Sequence, residues 1–222
     1  MYQDILTIAV VTVFAFFAIY WMWFQGEVDG SRLIAKNSMK QQKFNIILVL
    51  VAAFIVKAIL AVKNEGYSVD ITCFRSWSET VFTGGLSHFY EGDVTDYPPG
   101  YMLVLWLVAA IRHLFNIDNY STTGLFMIKL FPMLFDLAAA YLIYVMAKKR
   151  FSEGMSLMLS ALYALNPAVV IDSSVWGQVD GVLCCMVLLT CYLFMEEKRI
   201  LAYFAFCAGV LLKPQMVMFA PI

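Results

Sequence analysis

The sequence has little charge and few of the patterns that bind metals or nucleotides. Asp, Glu, Lys and Arg make up 14% of its 222 residues, and the formal net charge is −1, so no overall field favours nucleic acid or a strongly charged partner. The five cysteines lack the spacing of a zinc site or a disulfide framework. A glycine-rich phosphate loop is also absent. These absences direct attention to the few polar residues that interrupt apolar segments.

Apolar residues dominate the sequence. They make up 62% of it, and the mean hydropathy is +0.78, whereas about half of the residues of a soluble domain are apolar. The chain is therefore expected to be an integral membrane protein. Its first residues, MYQD, lack the basic region of a signal peptide, and the apolar run after them is interpreted as a retained span.

Apolar length and loop charge together predict the topology. A spanning helix needs about 20 mostly apolar residues, and residues 5–24 provide the first. The linker 25–43 is basic, which places it in the cytoplasm, so the span 44–62 leads to an outer loop at residues 63–115. The other predicted spans, which bring the total to six, are 124–147, 155–171, 181–195 and 201–221.

Residues 98–115 have two interpretations. If this apolar run crosses the membrane, the basic cluster Lys148–Arg150 lies outside and the acidic segment 172–180 lies inside. If the run lies along the outer interface or re-enters it, both positions reverse. The second topology satisfies the positive-inside rule at every short loop and is favoured.

The outer loop contains an amphipathic helix. Its apolar and polar residues separate on a helical wheel, as in a helix that lies in a membrane interface. The apolar side consists of Ile71, Phe74, Trp77, Val81 and Phe82, and the polar side of Thr72, Arg75, Ser76, Glu79, Thr80 and Thr83. Gly84-Gly85 is expected to end this helix. The prolines of DYPPG, at 96–100, predict a stiff extended entry to a second interfacial helix.

Two carboxylates in this loop are candidates for chemistry. Asp70 is predicted at the start of the amphipathic helix, where the helix dipole favours a negative charge. Its alternative role is that of an N-cap. Asp96 is either a turn former or a substrate-binding residue beside Tyr97, whose ring suits a sugar.

Two later segments carry further candidates. Trp176 is either an ordinary interfacial anchor or a substrate-binding residue. Gln178 and Asp180 adjoin spans and are expected to face a cavity or water, because lipid contact would be costly. Lys213, with Gln215 nearby, lies deep in an apolar run, where it either extends toward the interface or neutralises an anion.

These segments together resemble a known family. In order along the chain, they are GYSVD, GLSHFYEG, DYPPGYMLVLW, LFDLAAAYLIY, LNPAVVIDSSVWGQVDG and GVLLKPQ. The set covers most of residues 66–222 and is similar to the GT-C superfamily of membrane glycosyltransferases, most closely to bacterial relatives of the GPI-anchor mannosyltransferases. The resemblance implies a single transmembrane GT-C-like module over residues 1–222, with two juxtamembrane helices in the outer loop.

The resemblance also implies roles. Asp70 corresponds to the catalytic aspartate of the family, and Lys213 to a basic residue that contacts a lipid phosphate. The donor is expected to be a polyprenyl-phosphate sugar, used in an inverting transfer without a cofactor or metal, although Asp70 and Asp96 together remain an alternative metal site. Family members continue for several more spans, so the chain is expected to be the N-terminal portion of a longer protein.

Other function classes stay open. A lipid or sugar transporter or flippase also has broken helices and polar residues within the membrane, and a non-catalytic subunit would carry the same motifs. For the enzyme, the expected partners are the bilayer, the lipid-linked donor and a glycan, lipid or protein acceptor. Nucleic acid is not expected. The expected location is a bacterial plasma membrane, with the outer loop on the extracytoplasmic face.

Overall fold

The structure, a computed structural model, describes residues 39–92, 95 and 97–220. Within these residues every element of regular secondary structure is a helix, which confirms the all-α prediction for this part of the chain. The predicted span 5–24, most of the basic linker after it, and Asp96 lie outside the described residues.

Nine helical elements and one short turn follow one another in the described residues. They are α1 (Met39–Lys63), α2 (Ser68–Gly92), α3 (Pro99–Leu114), α4 (Thr122–Ala147), α5 (Glu153–Ala164), α6 (Pro167–Val170), a π-helical segment (Ile171–Trp176), α7 (Asp180–Met195), α8 (Arg199–Leu212) and a 3₁₀ turn (Pro214–Phe219). Helix α4 is central, because it packs against α1, α3, α5 and α7.

Membrane-crossing capacity varies among these helices. Among the described residues, Lys40–Lys63 and Thr122–Ala147 are long and apolar enough to span a membrane, and α5 with the bent continuation Pro167–Trp176 makes a third candidate if the pair is one span. Helices α7 and α8 have 16 and 14 residues, which reach only about 21–24 Å at 1.5 Å per residue. The count of six spans therefore stays a prediction.

Proline and capping residues divide two of the predicted spans. The segment 155–171 bends by 47° after α5, where the Asn166 side chain accepts the Ala168 N–H and Pro167 occupies the first helical position. The segment 201–221 is interrupted after Leu212, where Lys213 is extended and Pro214 follows. Proline has no N–H to donate to the preceding turn, so each proline interrupts the helical hydrogen bonds at its break.

Helix α2 follows the predicted amphipathic pattern, but its apolar side packs against protein. Ile71, Phe74 and Val81 are buried in one cluster with Tyr101 and Leu105 of α3. Helical geometry breaks at Gly85, with φ +76° and ψ 173°, which agrees with the expected end at Gly84-Gly85. A second helical stretch then runs to Gly92. The same cluster includes Leu125 and Ile128 of α4 and Val182 of α7, so the hairpin of α2 and α3 packs onto the core of the other helices.

An ion pair joins α2 to α3 on the side opposite the site described below. Arg112 is almost fully buried and bonds to Glu79, and the second Glu79 oxygen lies 3.0 Å from His113 Nε2. The ring of Phe82 stacks on His113 at 4.5 Å. Burial by itself raises the pKa of Glu79, but hydrogen bonds from Arg112 and His113 and the charges of both outweigh it, so its pKa lies below the ordinary value.

This lowered pKa predicts an acid-sensitive helix pair. Because the folded pKa of Glu79 is below 4.5, its ordinary value, the stabilisation is fully present above that pH and is lost as the pH falls through the folded pKa. We expect the unfolding temperature of Glu79→Gln to lie below that of the wild type at pH ~5, and the gap to narrow below pH ~4.5. Thermal unfolding followed by circular dichroism measures it. A gap that persists unchanged to pH ~3 would contradict the assignment, and Glu91→Gln, an exposed position on the same helix, is the control.

Candidate functional site

A cavity of about 480 Å³ lies where the start of α2, the segment before α3, the start of α7 and the end of α8 meet. One part of its wall is aromatic and the other part is polar. The residues that line it are Asp70, Cys73, Phe74, Trp77, Tyr97, Gln178, Asp180, Lys213 and Gln215. Six of the eight predicted site residues therefore share one cavity, although they come from four separate segments of the chain.

Asp70 lies in the first turn of α2, which begins at Ser68. Its Oδ2 accepts hydrogen bonds from Trp176 Nε1 at 2.8 Å and from Gln178 Nε2 at 3.1 Å. No hydrogen bond from another described residue reaches Oδ1. An N-cap would precede the helix and accept from its first N–H groups, so these contacts do not support the N-cap alternative. The carboxylate is fixed through one oxygen, and the other remains available in the cavity.

Trp176 and Gln178 reach Asp70 because the chain turns sharply between them. The intervening Gly177 has φ +89°, a left-handed conformation that glycine adopts without strain. A Cβ at this position would lie 2.8 Å from Ile71 Cδ1. The N–H groups of Gly177 and Gln178 both donate to the Asp172 carbonyl at 2.9 Å. These bonds close the end of the π segment, and π-helical turns are frequent at functional sites.

Two other groups fix the orientation of the Gln178 amide. Its Oε1 accepts from the Tyr97 hydroxyl at 3.0 Å and from the Val179 N–H at 2.9 Å. The Nε2 group is therefore directed to Asp70. The ring of Tyr97 packs against Phe74 and Trp77, with centroids 5.8 and 5.6 Å away. Tyr97 therefore contacts both the polar and the aromatic parts of the wall.

Lys213 brings a positive charge into the same cavity. It is extended, with φ −147° and ψ 116°, between α8 and the 3₁₀ turn. Its ammonium pairs with the Asp180 carboxylate at the start of α7. The Lys213 side chain is 7% exposed, but that of Asp180 is 56% exposed. The buried Lys213 ammonium therefore lies beside a carboxylate of the protein, and neutralisation of a bound anion by this lysine stays a prediction.

Some predicted site residues are placed differently. Trp176 does not line the cavity and is 45% exposed. Its ring lies 5.0 Å from that of Tyr67 at an angle of 42°, and its hydrogen bond to Asp70 connects it to the site. Cys73, Phe74 and Trp77 line the cavity but were not predicted as site residues. The wheel assigned the two aromatics to the apolar side of α2, and a wheel cannot distinguish a cavity wall from a core.

Behind the cavity, a buried ion pair joins α1 to α4. Lys129 and Asp136, at i and i+7, lie two turns apart on α4, and they are not bonded to each other. Asp136 instead accepts from Lys57 Nζ at 2.7 Å. The same ammonium donates to the Ser173 hydroxyl at 3.1 Å and the Val169 carbonyl at 3.2 Å. Lys57 was missed, and its signal was a single lysine in the middle of the apolar run 44–62.

The metal predictions concern a residue that is not described. Among residues 39–92, 95 and 97–220, no group of three or more His, Cys, Asp and Glu side chains comes together. Asp96 lies outside those residues. The expectation of a metal-free reaction and the alternative of a metal between Asp70 and Asp96 therefore both stay predictions.

Comparison with known proteins gives two matches. Residues 96–222 match the model of a family described as dolichyl-phosphate-mannose-protein mannosyltransferase. GPI mannosyltransferase 1 of Saccharomyces cerevisiae is 27% identical over 128 residues, which is 55% of this chain and 29% of that relative, so the chain spans less than a third of its length. No solved structure matches the chain significantly. The family match includes Gln178, Asp180 and Lys213 but begins after Asp70.

Proposed function

The chain belongs to the dolichyl-phosphate-mannose-protein mannosyltransferase family, and we propose that it transfers a mannosyl group from a polyprenyl-phosphate donor to an acceptor hydroxyl at the outer membrane face. The observation that carries this proposal is the joint position of Asp70 and Lys213 in one cavity. A general base and a cation beside the same aromatic wall match the needs of sugar transfer from a lipid phosphate.

Asp70 is the proposed general base. Trp176 and Gln178 hold its Oδ2, which leaves Oδ1 to accept the proton of the acceptor hydroxyl. As the proton moves to Asp70, the hydroxyl oxygen forms a bond to the anomeric carbon, and the bond from that carbon to the phosphate oxygen breaks. Attack from the face opposite the phosphate inverts the anomeric configuration. The polyprenyl phosphate leaves with the bonding electrons.

Lys213 is the proposed contact for the donor phosphate. Its ammonium is already held in the cavity by Asp180, and a positive charge there favours the negative charge that develops on the leaving phosphate. Because the Asp180 side chain is partly exposed, its carboxylate can release the Lys213 ammonium when an anion enters the cavity. Gln215 lies in the same wall and offers an amide to the phosphate or the sugar.

The aromatic wall is the proposed surface for the sugar ring. Phe74, Trp77 and Tyr97 present apolar faces and one hydroxyl, and pockets for small molecules combine such faces with a few polar groups that fix orientation. Asp96, next to Tyr97 in the sequence, keeps its predicted role as a substrate-binding residue. We propose no metal and no organic cofactor, since the lipid-linked sugar is itself the activated substrate.

The proposed setting is a GT-C-like bundle of about six spans in a plasma membrane. Residues 63–115 form its extracytoplasmic loop. The apolar helices α1 and α4 support membrane insertion, and the basic residues of the linker 25–43, which leads into α1, favour the outer face for the loop that follows α1. The acceptor is a glycan, a lipid or a protein, and nucleic acid has no part in the reaction.

The test is a comparison of donors with the natural full-length protein in bilayer nanodiscs. We expect mannose transfer from a short-chain mannosyl-phosphoryl-polyprenol and less from the glucosyl analogue, because the family match is to mannosyltransferases. We expect none from GDP-mannose, because the described residues of the cavity include one lysine for a single phosphate and the sequence has no glycine-rich phosphate loop. Radiolabelled sugar in the product measures the transfer. Transfer from the nucleotide sugar, or from none of the donors, would contradict the proposal.

The role of Lys213 is tested by its methionine variant in the same assay. Loss of a charged partner for the phosphate is expected to raise KM for the lipid donor about 10-fold or more. Lys198→Met, which removes an exposed lysine next to α8, is the matched control and should keep the wild-type KM. An unchanged KM in Lys213→Met would remove this residue from the donor site.

A further inference from the structure

Lys129 is a fully buried lysine of α4 whose ammonium meets only backbone oxygens among its hydrogen-bond partners in the described residues. It donates to the carbonyls of Asn64 at 2.7 Å, Ser174 at 3.0 Å and Val175 at 3.3 Å, with Ala61 at 3.5 Å. A lysine ammonium has three protons, so the three shorter contacts satisfy it without a carboxylate. We call these four oxygens the carbonyl cage.

The carbonyl cage consists of two helix ends. Ala61 and Asn64 lie at the C-terminal end of α1, and Ser174 and Val175 at the C-terminal end of the π segment. The last carbonyls of a helix lack partners within it, and the helix dipole concentrates negative charge there. Two such ends would repel each other without a cation between them. Lys129 supplies that cation from a third helix.

The two segments that follow these helix ends lead directly to the site. After Val175 come Trp176 and Gln178, the two donors to Asp70. After Asn64 come Gly66 and Tyr67, which precede α2. The Tyr67 N–H donates to the Trp176 carbonyl at 2.9 Å.

Two glycines permit this close approach. A Cβ at Gly66, which has φ +88°, would lie 2.8 Å from the Trp176 carbonyl oxygen. A Cβ at Gly177 would lie 3.3 Å from Lys129 Cε. The turn that carries Trp176 and Gln178 therefore packs directly on the Lys129 side chain. The segment 64–67, which leads to Asp70, packs on that turn.

We propose that Lys129 is a positioning residue for the sugar transfer: as a tethered cation in the carbonyl cage, it holds residues 64–67 against residues 174–178 and so sets the geometry of Asp70. The inference rests on the proposed function for its catalytic consequence. Its structural part, a cage that needs a small cation with N–H donors, stands independently and can be measured without activity.

The experiment empties the cage and refills it. Lys129→Ala removes the atoms of one propylammonium ion and leaves the four carbonyls without their cation. We expect the emission of Trp176, obtained by subtracting the spectrum of a matched Trp176→Phe protein, to shift to longer wavelength and the unfolding temperature to fall. Added n-propylammonium should reverse both changes. Tetramethylammonium, which has the same charge but no N–H, should reverse neither, and Lys63→Ala, an exposed lysine at the end of α1, should respond to neither ion.

The kinetic readout separates positioning from general stability. A displacement of about 1 Å at a reacting group costs about 10²-fold in rate, so we expect kcat of Lys129→Ala to fall by about 100-fold with KM for the donor nearly unchanged, and n-propylammonium to restore part of it. A wild-type kcat in Lys129→Ala would overturn the inference while the proposed function stands. Restored Trp176 emission in a protein whose wild type transfers no sugar would support the cage and refute the proposed function.

A second variant covers the case in which Lys129→Ala does not fold even with n-propylammonium present during purification. Lys129→Gln keeps a similar length and two N–H donors but no charge. We expect it to fold and to show the shifted Trp176 emission, because the two helix ends then lack a cation. Emission identical to that of the wild type would overturn the inference.

Discussion

Asp70→Asn is expected to lower kcat for sugar transfer by about 10²–10⁴-fold, the usual contribution of a general base. The amide cannot take a proton from the acceptor hydroxyl, but its oxygen still accepts hydrogen bonds from Trp176 and Gln178. The cavity therefore keeps its shape, and KM for the donor should change little. Steady-state transfer from a mannosyl-phosphoryl-polyprenol measures both constants.

The control for this variant is a charge change close by. Glu65→Gln alters an exposed carboxylate five positions earlier in the chain and should keep the wild-type kcat. Residual transfer in Asp70→Asn at or near the wild-type rate would show that another group accepts the proton. A matched loss in both variants would indicate an effect of local charge, which would remove Asp70 from the role of base.

Lys57→Met is expected to be strongly destabilising. Lys57 and Asp136 have side-chain exposures of 0% and 1%, and removal of one partner from a buried ion pair costs about 3–5 kcal/mol because a charge is left unpaired. Lys57 also bonds to Ser173 and Val169, so the π segment should loosen as well. Unfolding titrations in mixed micelles measure the free energy of unfolding.

A double variant distinguishes an unpaired charge from lost packing. Lys57→Met combined with Asp136→Leu removes both charges, and replacement of a buried pair by apolar residues is often neutral or stabilising. We expect the double variant to recover most of the lost free energy. If it is as unstable as Lys57→Met alone, the lysine stabilises the fold mainly through its bonds to the π segment.

The sequence indicates which residues line the cavity where a polar residue stands in apolar surroundings. Gln178 and Asp180 were expected to face a cavity or water because lipid contact would be costly for them, and they share one cavity with Asp70. The bounds of α4 followed from the same contrast, since the predicted span 124–147 lies within Thr122–Ala147. Burial cost is a property of each residue, so one sequence is enough to assess it.

Pairing between distant residues could not be predicted in this way. The sequence places Asp136 on the same helix as Lys129, but the partner of Asp136 is Lys57 on α1. Trp176 had the composition and place of an interfacial anchor, and its bond to Asp70 depends on a turn at Gly177 that no periodicity reveals. A helical wheel gives the faces of a helix but not its neighbours, which depend on how α1, α4 and the π segment pack together.

The bonds that hold Asp70 also set an order of events during biosynthesis. Its two donors lie 106 and 108 residues later in the chain, so at about 5–20 residues per second the aspartate emerges from the ribosome roughly 5–20 s before they do. During that interval the loop must stay on the face of the membrane to which the turn at Gly177 will be delivered. Correct insertion of the later hairpin is thus a condition for completing the earlier loop, and an inverted hairpin would leave the carboxylate without its partners.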